Sequence, residues 1–299
     1  METLYIIGGS GFIGKNMVRC YFNLFDIVVV DKYIDNNYFA KYPKVQLIQL
    51  DLIENQLPEN IKNPDYIINL ASIVTAERDL NLFDDMIKTN LKVLLNLFKR
   101  FTNENQLKLF IQFGSSEEYG NALSPFTESI REQPNSPYAL IKQLTTNTTL
   151  MLQQNYGFPA MVVRPGNLFG PLQHSSKFIP YIIETLRNNE PLNVSPCEQK
   201  RDFIYVDDFA DCIKEIILQY KKAVGNIINV SSGKSMSLKE IIEICKNELH
   251  SNSEVNYGEL PYRENEMMDL KCDIFKLKEI TTKQFNFQID KRLKNIIQL

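Results

Sequence analysis

Tyr138 and Lys142 lie four residues apart in a segment predicted to be helical, so both side chains should project from one helix face. A tyrosine phenol has a pKa of about 10 and acts as an acid or base at neutral pH only if its anion is stabilised. The Lys142 ammonium would supply positive charge, and Ser115, which follows a predicted buried strand, would hold a carbonyl or hydroxyl oxygen of a substrate. The spacing alone is common and Ser115 could be a plain loop serine, so the predicted catalytic group depends on all three residues meeting.

Residues 8–14 form a glycine-rich turn, Gly-Gly-Ser-Gly-Phe-Ile-Gly, between a predicted strand and a predicted helix. Gly8 would permit a tight turn, Gly11 a close approach of backbone N–H groups to a pyrophosphate, and Gly14 close packing of the helix. In isolation, such a motif also occurs as a turn without a ligand. We predict a dinucleotide site at this turn, in which Phe12 and Ile13 also contact the cofactor.

Asp31 ends the next predicted strand, where an acidic side chain would hydrogen-bond the adenosine ribose diol of a nicotinamide dinucleotide. This carboxylate would repel the 2′-phosphate of NADP, although the adjacent Lys32 could offset the repulsion. NAD is therefore the predicted cofactor, with NADP as the alternative. Its oxidised ring, in contact with Tyr138 and Lys142, would add positive charge near the phenol and exchange the hydride. The adenine could be flanked by Asp51 and Leu52, but Asp51 could equally be an ordinary helix-capping residue.

Short β-rich segments alternate with longer helical ones, which is typical of a parallel sheet covered by helices. We predict strands at 4–7, 27–30, 45–50, 66–70, 108–113, 160–164 and 226–230, and helices at 13–24, 86–101, 136–156 and 208–220. The predicted fold class is α/β, a Rossmann-type doubly wound parallel sheet with a smaller C-terminal substrate-binding lobe. Because prolines interrupt the pattern after residue 165, we assign 1–166 and 207–232 to the dinucleotide-binding domain and 167–206 and 233–299 to the smaller lobe.

Composition argues against several functions. A net charge of −3, with 23% charged residues, leaves no basic surplus for nucleic acid or a membrane surface, and no segment approaches the roughly 18 apolar residues of a transmembrane helix. The five cysteines lack Cys-x-x-Cys spacing and the two histidines lie far apart, so neither a metal site nor a disulfide framework is expected. The chain enters its first strand without a secretory pattern, from which we expect a cytoplasmic location.

The glycine turn, Asp31, Ser115 and the Tyr-x-x-x-Lys pair, in this order, make the chain resemble the extended short-chain dehydrogenase/reductase family over nearly its whole length. The segments Arg-Pro-Gly-Asn-Leu-Phe-Gly at 164–170 and Arg-Asp-Phe-Ile-Tyr-Val-Asp-Asp at 201–208 strengthen the resemblance. It implies an enzyme that acts on a nucleotide-linked sugar. It also implies that the cofactor site is lined by Leu70, Ala71 and Asn90.

The resemblance further implies that Asn167 contacts the sugar nucleotide and that Arg201 and Arg263 hold its pyrophosphate. Arginine suits this role because a guanidinium makes paired, charge-assisted hydrogen bonds to phosphate oxygens. Arg201 could equally form a surface ion pair with the adjacent Asp202. Lys177, at the start of a predicted helix, is expected to border the nucleotide base.

Three family reactions remain open: reduction of a 4-keto-6-deoxy sugar, epimerisation at C4, and 4,6-dehydration. Segment 114–120 is Gly-Ser-Ser-Glu-Glu-Tyr-Gly, in which Ser116 and Glu117 are the predicted substrate contacts. Glu117 matches the dehydratase glutamate, but Ser116 replaces the aspartate of one major dehydratase branch. The segment is similar to reductases of GDP-4-keto-6-deoxymannose, and 177–181, 198–208 and 262–267 resemble abequose-type 4-ketoreductases. The NAD-favouring Asp31, in contrast, suits an epimerase that retains its cofactor.

We therefore predict NAD(P)H-dependent reduction of the C4 ketone of a nucleotide-linked 4-keto-6-deoxyhexose, in deoxysugar biosynthesis for surface polysaccharide. A 4-epimerase with tightly bound NAD ranks next, and a 4,6-dehydratase last. The non-enzymatic alternative is a dinucleotide-sensing protein, although such proteins generally lose the Tyr/Lys pair. The resemblance also implies a homodimer in which helices at 83–101 and 136–156 form a four-helix bundle, with Leu97 and Leu144 either at the interface or facing the sheet.

Overall fold

The buried runs predicted as strands lie side by side in the structure, a computed structural model that describes residues 1–75 and 79–298. In these residues the strands are β1 (Thr3–Ile7), β2 (Asp26–Asp31), β3 (Gln46–Gln49), β4 (Tyr66–Asn69), β5 (Leu109–Phe113), β6 (Ala160–Pro165), β7 (Asn167–Phe169), β8 (Leu192–Val194), β9 (Lys200–Arg201), β10 (Phe203–Tyr205), β11 (Ile227–Val230), β12 (Met236–Ser237), β13 (Val255–Tyr257) and β14 (Asp269–Leu270). Seven of these described strands form one sheet, β11-β6-β5-β4-β1-β2-β3, in which every neighbouring pair is parallel. The predicted α/β class with a Rossmann-type sheet is confirmed.

Helices follow most strands of the large sheet. Their bounds are α1 (Phe12–Tyr21), α2 (Asn36–Phe39), α3 (Phe83–Met86), α4 (Val93–Phe101), α5 (Pro137–Tyr156), α6 (Phe178–Arg187), α7 (Val206–Leu218), α8 (Tyr220–Ala223), α9 (Leu238–Leu249), α10 (Phe275–Ile280) and α11 (Ile289–Ile297). A π-helical segment, Ile87–Lys92, joins α3 to α4. The helix predicted at 86–101 therefore begins earlier than predicted, with α3, and has wider turns over the π-helical segment. Helix α5 begins as predicted, because the Ser136 side chain accepts a hydrogen bond from the Ala139 N–H at 3.1 Å.

Side chains alternate between the two faces of the large sheet, and each face has its own apolar cluster. On one face Ile6 and Val29 pack with α1 and α7, while on the other Tyr5 and Phe110 pack with α4 and the C-terminal half of α5. Every residue of β1, β4 and β5 is buried, as expected of parallel strands covered on both sides. The central strands of the sheet are therefore part of the core, and the loops after them leave from buried strand ends.

A separate apolar cluster lies among α6, α9, α11 and short strands, and includes Phe169, Ile182, Ile241 and Leu293. Helix α10 falls within the stretch predicted for the smaller lobe, yet its Leu277 and Ile280 pack into a cluster of the large sheet. The domain boundaries proposed from the sequence stay a prediction.

Exposure separates the two residues considered for a dimer interface. Leu97 is 1% exposed and packs against the sheet, whereas Leu144 is 40% exposed on the outer side of α5, where Leu140 and Met151 are also exposed. Leu97 is therefore a core residue, and the homodimer stays a prediction that depends on α5. Among the helices of the described ranges, none combines the length and apolar character needed to span a bilayer.

Candidate active site

The carboxyl ends of parallel strands meet at one edge of a sheet, and this edge collects the predicted site residues. The glycine turn follows β1, Asp31 ends β2, Leu70 follows β4, and Ser115 follows β5. Because β4 lies between β1 and β5 in the sheet, the loop that follows β4 separates the turn from the serine, and all three loops leave the same edge. The central strands therefore place the predicted cofactor and catalytic groups at one edge.

The glycine turn has the shape that a pyrophosphate requires. Gly8 has a φ of +72°, and a Cβ added there would lie 2.8 Å from the backbone nitrogen of Ala71. A Cβ on Gly14 would lie 2.5 Å from the backbone of Gly9, so neither position tolerates a side chain. Around Gly11 the nearest atom is 3.5 Å away, and no side chain caps the first turn of α1. The first N–H groups of α1, including those of Phe12 and Ile13, thus have no side-chain cap and are available to an anion such as a pyrophosphate.

The Asp31 carboxylate lies against the glycine turn. Its oxygens accept hydrogen bonds from the backbone N–H groups of Ser10 at 2.9 Å and Tyr33 at 3.1 Å. The neighbouring Lys32 turns away from it, because its ammonium pairs with Asp51 at 3.0 Å. Lys32 is thus not positioned to offset the repulsion between Asp31 and a 2′-phosphate, and the site favours NAD.

Asp51 lies in a turn and does not cap a helix, which was the alternative left open by the sequence. Its carboxylate accepts a hydrogen bond from the Ile53 N–H at 2.9 Å, and this bond, with Lys32, holds the pKa of the carboxyl below its ordinary value. The Leu52 side chain is buried in the core cluster beneath β2. Any contact of these two residues with adenine stays a prediction.

Two buried polar atoms near the predicted cofactor edge have no hydrogen-bond partner in the described residues. Asn90, in the π-helical segment, accepts a hydrogen bond from the Ile73 N–H at 3.1 Å, but its Nδ2 donor is buried without a partner in the described residues. The Ser10 hydroxyl is likewise buried and unpaired within that part of the chain. Buried donors without partners are costly, so these groups are expected to bond a ligand. These groups are compatible with NAD, and the placement of its ribose at Asp31 and its pyrophosphate at Gly11 stays a prediction.

Ser115, Tyr138 and Lys142 do meet. The Ser115 side chain lies close enough to the Tyr138 phenol to lower its pKa, and the Lys142 Nζ atom lies 5.8 Å from the centroid of the Tyr138 ring. Lys142 is held in place by a 2.9 Å hydrogen bond from its ammonium to the Phe113 carbonyl. α5 and the β5 loop together create this arrangement, because α5 packs beside β5 with one face toward the sheet edge.

Electrostatics in this group suit proton transfer. Burial raises the pKa of the Tyr138 phenol above its ordinary value, the Ser115 hydrogen bond lowers it, and the charges of Glu117 and Glu118 raise it. Burial lowers the pKa of Lys142 to about 8, against the opposing effect of Glu118. Tyr138 is therefore a protonated acid in the cofactor-free protein, next to an ammonium that can stabilise its anion.

Behind Ser115 lies a buried ion cluster that the sequence reasoning missed. Glu118 accepts hydrogen bonds from the Arg164 guanidinium at 3.0 and 2.7 Å, and Arg164 also bonds Glu132 at 2.5 Å. Neither Glu118 nor Arg164 has exposed side-chain surface. The sequence pattern that could have indicated a structural role for Glu118 is Ser-x-x-Glu at 115–118, a capping box that the structure contains in full.

The predicted substrate residues differ in their exposure and hydrogen bonding. The Asn167 side-chain oxygen is buried and has no partner in the described ranges, so it is free to accept a hydrogen bond from a ligand. Ser116 is 4% exposed, whereas Lys177 is exposed just before α6. Glu117 lies close enough to Tyr138 to raise its pKa. The roles of these residues stay predictions.

Arg201 forms an ion pair, but not with Asp202 as the alternative had it. Its guanidinium bonds the Glu266 carboxylate and, at 2.6 Å, the Met267 carbonyl. Asp202 has no exposed surface and instead accepts hydrogen bonds from the backbone that follows β11. Arg263 is exposed in the turn that leads to Glu266. A pyrophosphate at Arg201 would therefore compete with Glu266.

Replacing Asp31 with Ala is expected to weaken NADH binding and to reduce the preference for NADH over NADPH by about 10- to 100-fold, because charged hydrogen bonds to the ribose diol are lost. Fluorescence titration with each cofactor measures both dissociation constants without a substrate. Asp26→Ala is the matched control, since Asp26 lies at the other end of β2 and pairs with Lys62 at 2.9 Å. An unchanged cofactor preference in Asp31→Ala would contradict the assignment.

Known proteins match the chain along most of its length. Residues 4–231 match the model of the NAD dependent epimerase/dehydratase family. A CDP-abequose synthase of Salmonella muenchen is 34% identical over 137 residues, which are 46% of this chain and 46% of that protein. A putative UDP-glucose 4-epimerase of Methanocaldococcus jannaschii is 25% identical over 93% of this chain and 92% of its own length. The structure of a UDP-N-acetylglucosamine 4-epimerase from Methanobrevibacter ruminantium M1, in complex with UDP-N-acetylmuramic acid, superposes with a TM-score of 0.90 at 27% identity, covering 99% of this chain and 97% of that one.

Proposed function

The chain belongs to the NAD-dependent epimerase/dehydratase family, and we propose that it reduces the C4 ketone of a nucleotide-linked 4-keto-6-deoxyhexose. One observation carries the proposal: Ser115, Tyr138 and Lys142 meet at the cofactor edge, while a buried serine, Ser116, takes the place of an acid next to them. The group can protonate a sugar oxygen during hydride transfer. It lacks the aspartate with which one branch of dehydratases assists the loss of a C6 hydroxyl.

In this reaction the Ser115 hydroxyl would hold the C4 carbonyl oxygen beside the Tyr138 phenol. Tyr138 gives its proton to that oxygen as the carbonyl becomes an alcohol, and Lys142 stabilises the phenolate left behind. Bound NADH supplies the hydride that reduces C4. The sheet edge and α5 provide the orientation, since both are held by the buried core.

Recognition of the substrate would fall to the smaller lobe. The unpaired Asn167 oxygen would accept a hydrogen bond from the sugar nucleotide, and Arg201 would exchange its bond to Glu266 for the pyrophosphate. Arg263, which lies in an exposed turn, would bind the same pyrophosphate. Support for a deoxysugar substrate comes from the similarity to the CDP-abequose synthase, which is 34% identical over 46% of this chain.

A nucleotide-sugar 4-epimerase is the second candidate. Asp31 bonds the glycine turn while Lys32 is committed to Asp51, an arrangement suited to an enzyme that keeps NAD bound through a reversible cycle. The match to the putative UDP-glucose 4-epimerase over 93% of the chain favours the same reading. A 4,6-dehydratase ranks third because Ser116 lacks an acidic group, although Glu117 is present.

The decisive test offers the purified protein each nucleotide-linked 4-keto-6-deoxyhexose with NADH or NADPH and follows cofactor oxidation. The proposal predicts oxidation that requires the keto sugar and is faster with NADH. Reactions without sugar and with the corresponding reduced sugars serve as controls. Absence of oxidation with every substrate, together with interconversion of intact sugar nucleotides by protein that carries bound NAD, would establish the epimerase instead.

A further inference from the structure

One buried carboxylate joins the loop of Ser115 to two other elements of the site. The Oε1 atom of Glu118 accepts hydrogen bonds from the Ser115 backbone N–H at 2.8 Å and from the Thr146 hydroxyl at 3.1 Å. Its Oε2 atom accepts both hydrogen bonds from Arg164, at the end of β6. The β5 loop, α5 and β6 therefore meet at this single side chain.

Local geometry shows that the loop is built around Glu118. The Ser115 hydroxyl accepts a 3.1 Å hydrogen bond from the Glu117 N–H, while the Ser115 N–H donates to Glu118, which completes a reciprocal cap. A Cβ added at Gly114 would lie 2.3 Å from the Glu118 carboxylate, so glycine at that position leaves room for it. Both the backbone and the hydroxyl of Ser115 are thus fixed by this cap.

The same carboxylate faces the catalytic side of α5. Thr146 lies one helical turn beyond Lys142, and the negative charge of Glu118 opposes the lowering of the Lys142 pKa by burial. Arg164 balances that charge on the opposite side, with Glu132 as its second partner. Since Glu118 has no exposed surface, a substrate cannot reach it, and its influence on the reaction passes through the Ser115 loop that it holds.

We propose that Glu118 is a positioning residue that fixes the Ser115 hydroxyl relative to Tyr138 by tying the Ser115 backbone to α5 and β6. The inference rests on the proposed roles of Ser115, Tyr138 and Lys142 in chemistry at C4. It applies equally to reduction and epimerisation, because both use the same proton transfer. Neither the family match nor the sequence pattern assigns this role to Glu118.

Glu118→Leu tests the proposal, since it removes the acceptor for Ser115 and leaves Arg164 paired with Glu132. We expect kcat to fall by about 10- to 100-fold with little change in KM, because misplacement of a catalytic group acts mainly on the transition state. Hydrogen exchange at the Ser115 amide, which needs no substrate, should accelerate. Glu118→Gln should recover part of kcat, because its amide oxygen can still accept from the Ser115 N–H.

Glu132→Leu is the matched control, since it removes the other carboxylate from Arg164 without touching Ser115. It should keep kcat and the protection of the Ser115 amide close to wild type. Equal losses in Glu118→Leu and Glu132→Leu, or no loss in either, would overturn the proposal. If Glu118→Leu does not fold, Thr146→Val replaces it in the test, because it removes one hydrogen bond from the same carboxylate. A lower kcat together with faster hydrogen exchange at the Ser115 amide supports the proposal. Unchanged kcat and unchanged exchange overturn it.

The two proposals fail separately. If the wild-type protein epimerises sugar nucleotides and reduces none, kcat is measured for epimerisation with the same variants, and only the reductase assignment is lost. If the protein catalyses neither reaction, hydrogen exchange at Ser115 still decides whether Glu118 fixes the loop.

Discussion

Tyr138→Phe should lower kcat by about 100- to 10,000-fold, the range typical of a positioned acid or base, while NAD binding and the fold are kept. The substitution removes only the hydroxyl that faces Ser115 and leaves the ring beside Lys142. Steady-state kinetics with the preferred sugar nucleotide measure the loss. Cofactor titration of the same variant verifies that the dinucleotide site is intact.

Tyr156→Phe is the matched control, because Tyr156 ends the same helix and is 62% exposed, far from the sheet edge. Its kcat should equal that of the wild type. If Tyr138→Phe retained wild-type activity on every sugar nucleotide, Tyr138 would not be the proton donor, and a protein that binds the dinucleotide without turning it over would have to be reconsidered.

Arg164→Met is expected to have the largest effect on stability, a loss of about 3–5 kcal/mol in the free energy of unfolding. Methionine fills much of the same space, but it leaves Glu118 fully buried and Glu132 largely buried without their counter-charge. Such a loss is a large part of the roughly 5–15 kcal/mol that stabilises a typical domain. Urea unfolding followed by circular dichroism measures it.

Arg19→Met provides the comparison, because Arg19 pairs with Asp207 at a site where both side chains are about one-third exposed. Solvent screens such pairs, so the expected loss is below about 1 kcal/mol. An Arg164→Met protein as stable as Arg19→Met would mean that the buried cluster does not depend on the guanidinium.

The large sheet could be predicted because its signals are local. The buried strands β1, β2 and β5 each lead to a residue predicted to belong to the site. Parallel pairing brings the carboxyl ends of these strands to one edge of the sheet. The family resemblance and the NAD cofactor followed from the same short motifs, and the family match confirms both. The meeting of Ser115, Tyr138 and Lys142 was predictable for the same reason, since only one helix and one strand end had to be placed.

What the sequence could not provide depends on contacts between distant segments. Glu118 and Arg164 are 46 residues apart, and nothing in the pattern near either one indicates the other. Arg201 finds Glu266, 65 residues away, rather than its neighbour. The π-helical turn that positions Asn90 is likewise invisible in the apolar periodicity, because a wider turn changes the register without changing residue types. Which charged residues form pairs therefore depends on the folded structure and cannot be predicted from neighbouring positions in the sequence.

The central claim is that the edge holding Ser115, Tyr138 and Lys142 carries out hydride transfer between NADH and C4 of a nucleotide-linked keto sugar. The most direct measurement uses NADH that carries deuterium at both hydrogen positions of nicotinamide C4. It is mixed with the wild-type protein and with the keto sugar that supports NADH oxidation. NMR of the product should show deuterium at C4 of the sugar alone. A product with hydrogen at C4, or with deuterium at any other carbon, would contradict the claim.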